Sequence, residues 1–239
     1  MGRSLKTEAI VLRKLRFGEA DSILHLYTEQ YGRINAIAKG VRRSNSRFGG
    51  RLEPYFRLEL MLHEGRGDLL TITSAETIDP HASLRTRADA LRAASQLGDF
   101  VLRLLDDREQ NLAAYNLTAN TLALIDRDPE ASRWEVGLAF RAKMLLAAGF
   151  APQLGACVHC AAVEDLVAFS ASAGGIVCRD CRETGDFDFG ADAHSFLTGA
   201  IGGPVAQAPR AEPEDLRQAE KALTQTLEHH AHVGIRNIA

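Results

Sequence analysis

The sequence predicts an α+β protein of several units, on three observations. Five short segments of alternating polarity precede residue 80. Helical spacing follows that point. Two Cys-x-x-Cys pairs then lie at Cys157/Cys160 and Cys178/Cys181. Period-2 alternation marks half-buried strands, and apolar residues three and four apart mark amphipathic helices. The expected divisions are a barrel over residues 1–80, a helical domain over 81–150, a metal module over 151–190, and C-terminal helices over 191–239 packing on the helical domain.

The strands come first. Residues 7–15 (TEAIVLRKL), 22–28 (SILHLYT) and 33–38 (RINAIA) are rich in β-branched and apolar types. Residues 56–63 alternate strictly, with Phe56, Leu58, Leu60 and Leu62 on one face. Residues 68–77 place Leu70, Ile72 and Ser74 together. Gly-containing turn signals separate the runs at 17–21, 30–32 and 64–68. Five short strands leave exposed edges unless they close, so a small barrel is expected. The five-stranded oligonucleotide-binding (OB) barrel is a common solution of this kind.

Past Pro80, Leu84, Ala88, Leu91, Ala94, Val101 and Leu105 fall near one helical stripe. A second helix is expected over 112–125. A third is expected from Ser132, with Ser132 and Glu135 as a capping box and Gly149 just past its end. Trp134 lies on the stripe of Leu138, Arg141 and Leu145 and reads as a core anchor rather than a ligand-stacking ring. A short helix is expected over 191–201 and a last one over 213–232. Pro213, Glu214 and Asp215 suit the first turn of that last helix.

The four cysteines form the pattern C-x2-C-x17-C-x2-C. Two thiolates two residues apart reach one tetrahedral ion, and the second pair completes the shell. The intervening residues read as two short strands around Gly174 and Gly175, as in a zinc ribbon. The spacing therefore predicts one structural zinc held by Cys157, Cys160, Cys178 and Cys181. A redox dithiol is the competing reading, and no βαβ pattern precedes either pair to support it. His159 is expected to be exposed.

Charge is uneven. Residues 1–80 carry 13 Lys and Arg against 10 Asp and Glu, a net of +3. The remainder carries 15 against 21, a net of −6, which brings the chain to −3. Within the basic part, residues 31–52 hold Arg33, Lys39, Arg42, Arg43, Arg47 and Arg51 with no acidic residue among them. Ser44, Asn45 and Ser46 add hydrogen-bonding groups, and Gly40, Gly49 and Gly50 permit close backbone approach. A charge run is often a solvated face. Here it interrupts a barrel pattern at a loop and lacks acidic partners, so it reads as a nucleic-acid-binding segment. Tyr31 and Phe48 are the aromatic residues placed to stack on a base. Each is also a plausible core residue.

No run reaches the roughly 18 apolar residues of a membrane span, and the first 17 residues lack a continuous apolar stretch, so a cytoplasmic protein is expected. No phosphate loop, GxSxG or HExxH is present, which argues against an enzyme. A zinc-ribbon, OB-fold RNA-binding or transcription factor would share these features.

The segment from EAIVLRKLRFGEADSILHLYTEQYGRINAIAKGVRRSNSRFGGRLEPY, with GFAPQLGACVHC and GGIVCRDC downstream, resembles RecO, the bacterial recombination mediator family. The likeness runs through nearly the whole chain in the same order. It implies binding to single- and double-stranded DNA, annealing of complementary strands, and action with RecR to help RecA load on DNA coated by single-strand-binding protein (SSB). It also implies nucleoid association during repair and a contact with the SSB C-terminal tail. The basic residues named above would be the DNA contacts, with Arg13, Lys14 and Arg16 extending them. The usual basic C-terminal tail is thin here, since Arg236 is the one charged side chain after His232.

Overall fold

A computed structural model describes residues 3–65, 67 and 69–230. The chain divides into two compact units, one ending at Pro129 and one beginning at Glu130. The segment expected to be one helical domain is thus shared between them.

The first unit opens with a closed barrel of β1 (Ser4–Phe17), β2 (Asp21–Thr28), β3 (Gly32–Ala38), β4 (Arg57–His63) and β5 (Leu70–Asp79), in the order β1-β2-β3-β5-β4. This is the strand order of an OB barrel. All neighbours are antiparallel except β3 and β5. One long strand serves two partners: Ala9 to Phe17 pair with β2, and Ser4 to Ile10 pair with β4. A bulge between Val11 and Arg13 bends it between these duties, as such irregularities do where a sheet curls. Leu24, Leu26, Ile34, Ala36, Leu58, Leu60, Leu62, Leu70 and Ile72 point into the barrel, as the alternation predicts. A second bulge between Met61 and Leu62 shifts the β4–β5 register, so Ala75 rather than Ser74 packs on this core.

Two helices complete the unit, α1 (Ala88–Leu104) and α2 (Leu112–Arg127). Leu84 precedes α1 in a short 3₁₀ turn, and Leu91 is exposed. Asn111 caps α2 by accepting from the Ala114 amide at 2.9 Å. The rings of Tyr27 of β2 and Tyr115 of α2 pack together, tilted, with centroids 5.9 Å apart. β5 meets β3 at just two positions, Ala36 and Ile37. Further along that edge the α1–α2 connection takes over: the Arg108 amide donates to the Arg33 carbonyl at 2.8 Å. Gly32 lies against the same connection at φ +62°, and a Cβ there would fall 1.9 Å from the Glu109 carbonyl oxygen.

The second unit contains α3 (Trp134–Ala147), β6 (Leu166–Ser170), β7 (Gly175–Cys178), β8 (Phe187–Asp188), α4 (Ala191–Gly202) and α5 (Pro213–His230). The three helices pack on one another. The expected capping box does not form. Pro129–Ser132 is a 3₁₀ turn that delays the helix, Arg133 occupies the cap position, and the Ser132 hydroxyl is buried with no hydrogen-bond partner among the described residues. Glu135 instead faces Arg133 and Arg210, each at 3.6 Å. Trp134 is correspondingly no core anchor: at the first helical position it remains 37% exposed, while Val136, Leu138, Phe140, Met144 and Leu145 are buried. The C-terminus of α3 follows expectation. Gly149 at φ +82° lets Phe150 donate to Leu145 and Gly149 to Leu146, a Schellman closure. β8 lies beside β6 as a third strand, where the sequence predicts only two around Gly174 and Gly175. His232 and Arg236, and with them any C-terminal DNA contact, lie outside the described residues.

Candidate nucleic-acid interface and metal centre

The connection from β3 to β4 is an ordered string of turns. Arg43 donates to Gly40, Ser46 to Arg43, Gly49 to Ser46 and Arg51 to Phe48, each through the backbone at 3.0–3.2 Å. Two features hold it. Phe48 and Leu52 are inserted into the barrel core, 2% and 0% exposed. Burying one such side chain stabilises by about 1.5–3 kcal/mol. The loop is also tied to the β1–β2 turn: the Gly40 amide donates to Asp21 Oδ1 at 2.7 Å, the Arg42 amide to the Ala20 carbonyl at 2.9 Å, and Arg42 Nη1 to the Gly18 carbonyl at 3.1 Å. The FGEAD segment therefore works as a mount for the basic loop. From sequence it is a turn signal and part of the family resemblance, with no link to the basic loop.

Two expected DNA contacts are corrected. Phe48 is in the core with the Arg47 guanidinium over its ring at 4.9 Å, so its face is closed to a base. Arg33 pairs with Asp107 at 2.7 Å and donates to the Leu102 carbonyl, which neutralises its charge inside the unit. Tyr31 is half-buried against the same core. Two of the three proposed extensions are also engaged: Arg13 pairs with Asp99 at 2.6 Å and Lys14 with Glu53 at 2.7 Å. Arg16 stays exposed.

Lys39, Arg42, Arg43, Arg47 and Arg51 are different. All five are exposed, and none has an ion-pair partner among the described residues. Arg47 and Arg51 border a groove of about 480 Å³ whose other wall is β5, with Thr73, Ser74, Glu76 and Thr77 along it. Hydroxyls and guanidinium groups facing one groove suit phosphate oxygens, while Glu76 opposes them.

In the second unit the two cysteine pairs converge. The four Sγ atoms all lie within 4.8 Å of one another, and Cys160 Sγ is 3.7 Å from Cys178 Sγ. Tetrahedral thiolates at a zinc–sulfur distance of about 2.3 Å stand about 3.8 Å apart, so the cluster fits such an ion. Val158 donates to Ile176 at 3.0 Å and Cys157 to Ala162 at 2.8 Å, which fold the first knuckle onto β7. Gln153 brackets Gly175 from the other side, and a Cβ on Gly175 would fall 2.3 Å from the Gln153 carbonyl oxygen. Burial pushes the Cys157 thiol up, but backbone amides of Cys178, Cys160 and His159 outweigh it and bring the thiol down to about 6. Hydrogen bonds with Cys160 and Cys178 push Cys181 up to about 12. Crowded thiols of this kind share negative charge poorly, and a divalent cation relieves the repulsion. His159 is exposed and outside the cluster.

Both units match known proteins. The family model described as Recombination protein O N terminal matches residues 1–81, and Recombination protein O C terminal matches residues 85–237. The chain belongs to the RecO family. Among curated relatives, the DNA repair protein RecO of Rubrobacter xylanophilus is 35% identical over 229 residues, covering 94% of this chain and 90% of the relative. That of a Nocardioides species is 34% identical, with 98% and 97% covered. That of Bifidobacterium animalis is 39% identical over 178 residues, with 72% of each covered. The first RecO family model ends just past β5, and the second spans the two helices of the first unit and the whole cysteine cluster. Among the described residues no helix is long and apolar enough to cross a membrane.

Proposed function

We propose that this RecO-family chain is a cytoplasmic DNA-binding recombination mediator that works by charge neutralisation and carries no catalytic site. The observation that carries the reading is the set of five exposed cations, Lys39, Arg42, Arg43, Arg47 and Arg51, mounted without ion-pair partners on one ordered loop of an OB barrel. Such a surface binds single- and double-stranded DNA through phosphates, with little sequence preference. Neutralising two strands at once lowers their repulsion and speeds annealing. In the cell the chain acts with RecR to help RecA load on SSB-coated DNA, and it contacts the acidic SSB tail.

Zinc is the metal for Cys157, Cys160, Cys178 and Cys181. Four thiolates leave no open position for a water, so the ion is structural. These residues hold both knuckles against β6 and β7, and metal binding supplies folding energy to a segment with a small core of its own.

The test is annealing of complementary SSB-coated strands, with and without RecR. Reversing Arg42, Arg43 and Arg47 to Glu should abolish annealing. Annealing at the wild-type rate in that variant would refute the assignment. SSB exchange at full rate on DNA coated with tail-less SSB would refute the tail contact.

A further inference from the structure

Burial of Phe48 leaves the basic loop without an aromatic surface, and the barrel supplies one elsewhere. Beyond the bulge in β1, strand alternation turns Arg13, Leu15 and Phe17 to the outside of the barrel, because Lys14 pairs with the inward Leu24. The registers set Leu15 opposite Ile23, and Ile23 opposite Ile37. Three strands thus carry one apolar row on the outer face, ending in Phe17 one step further along. Leu15 is 45% exposed and Phe17 is 50% exposed, while Ile23 and Ile37 are half-buried.

This row differs from the rest of the outer face. The next row towards the helices is polar and engaged: Arg13 pairs with Asp99 of α1, with His25 and Asn35 beside it. On the other side stands the basic loop. Arg42 Nη1 donates to the carbonyl of Gly18, the residue next to Phe17, and Lys39 directly follows β3. The acidic groups nearby are Asp21, opposite Phe17 and already accepting from Gly40, and Glu19 in the turn.

We propose that Phe17, with Leu15, Ile23 and Ile37, is a stacking platform for unpaired bases of a single strand whose phosphates run along Lys39, Arg42 and Arg43. The inference rests on the nucleic-acid reading of the basic loop and adds a discrimination that phosphate contacts lack. Strands about 4.8 Å apart make the row about 10 Å wide, room for one or two bases. Every base offers a π-face, so the platform is sequence-tolerant. Bases of a duplex are already stacked and cannot use it. Four apolar side chains are far short of the roughly 800 Å² that each partner buries in a stable protein interface. The cations beside them complement phosphate.

The experiment measures affinity of the full chain for a labelled single strand and for the matched duplex. Phe17→Ala should weaken single-strand binding about tenfold and leave duplex binding unchanged. Phe17→Tyr, which keeps the ring, should bind as wild type. Phe17→Trp should show emission quenched by the single strand beyond any change at Trp134 in the wild type. Unchanged single-strand affinity in Phe17→Ala would overturn the platform while leaving the phosphate reading intact. Equal losses on strand and duplex would also overturn it, since the ring would then act by positioning the loop through Gly18. A wild-type chain that binds neither DNA would refute both readings.

Discussion

The five cations of the β3–β4 loop set a measurable salt dependence. If each neutralises one phosphate of a single strand, the logarithm of the binding constant should fall with the logarithm of salt at a slope of about −3.5. Removing Lys39, Arg42 and Arg43 together by Ala substitution leaves Arg47 and Arg51, and the slope should shrink to about −1.4. Raising salt from 50 to 200 mM would then cost the wild type about 130-fold in affinity and the triple variant about sevenfold. All three side chains are exposed, and among the described residues their one side-chain hydrogen bond runs from Arg42 to the Gly18 carbonyl, so unfolding stability should change by less than about 0.5 kcal/mol. Fluorescence anisotropy of a labelled oligonucleotide over a salt series gives both slopes. Replacing Arg42 and Arg43 by Lys keeps the charge and should keep the wild-type slope. A triple variant with the wild-type slope would refute the assignment of phosphate contacts to this loop.

Four further outcomes are expected. Phe48→Ala should destabilise the first unit by about 3–5 kcal/mol in denaturant titration, as loss of a buried ring does, and a small loss of stability with a large loss of DNA affinity would restore its stacking role. Gly32→Ala should cost more than Gly18→Ala in thermal unfolding. Both residues sit at positive φ, worth roughly 1–2 kcal/mol, but only Gly32 meets a backbone carbonyl; equal costs would mean that the edge connection is loose. Cys178→Ser with Cys181→Ser should lower bound zinc from one ion per chain to none, and unchanged metal content would remove the four-thiolate site. Burial, then the Arg13 charge, holds His25 below the ordinary imidazole value, so the folded state disfavours its protonation. Its contribution is complete above the unfolded value of about 6.5 and is lost as pH falls through the folded one. His25→Gln should therefore flatten the fall in urea midpoint between pH 7.5 and pH 5, and an unaltered profile would exclude it as a source of acid sensitivity.

What could be read from the sequence was what is written locally. Leu58, Leu60 and Leu62 announce one buried face, and a strand with one buried face has little choice of register. The cysteine pairs declare a cluster able to hold a metal ion, because chelation by two residues three apart is a local geometry. What escaped depends on distant partners. Phe48 lies among glycines and arginines, which leave core and stacking roles both open until the loop is seen to fold back into the barrel. Arg33 looks like its basic neighbours until Asp107, 74 residues later, is brought to it. Ser132 and Glu135 have cap spacing, but Arg210 draws the carboxylate away from the helix end. The exposure of Phe17 turns on a single-residue bulge near Leu12, which reverses the face of everything after it. A reading by simple alternation cannot register that slip.

The edge of β3 that is met by the α1–α2 connection changes what counts as the smallest self-sufficient piece. A cut after residue 80 keeps all five strands, yet it strips Arg108 from the Arg33 carbonyl and opens part of β3. An unsatisfied edge recruits another strand, so such a fragment should self-associate. Ending the fragment at Pro129 keeps that edge covered. The helices here are part of the wall, and the protein's modularity begins one helical pair later than its strand count suggests.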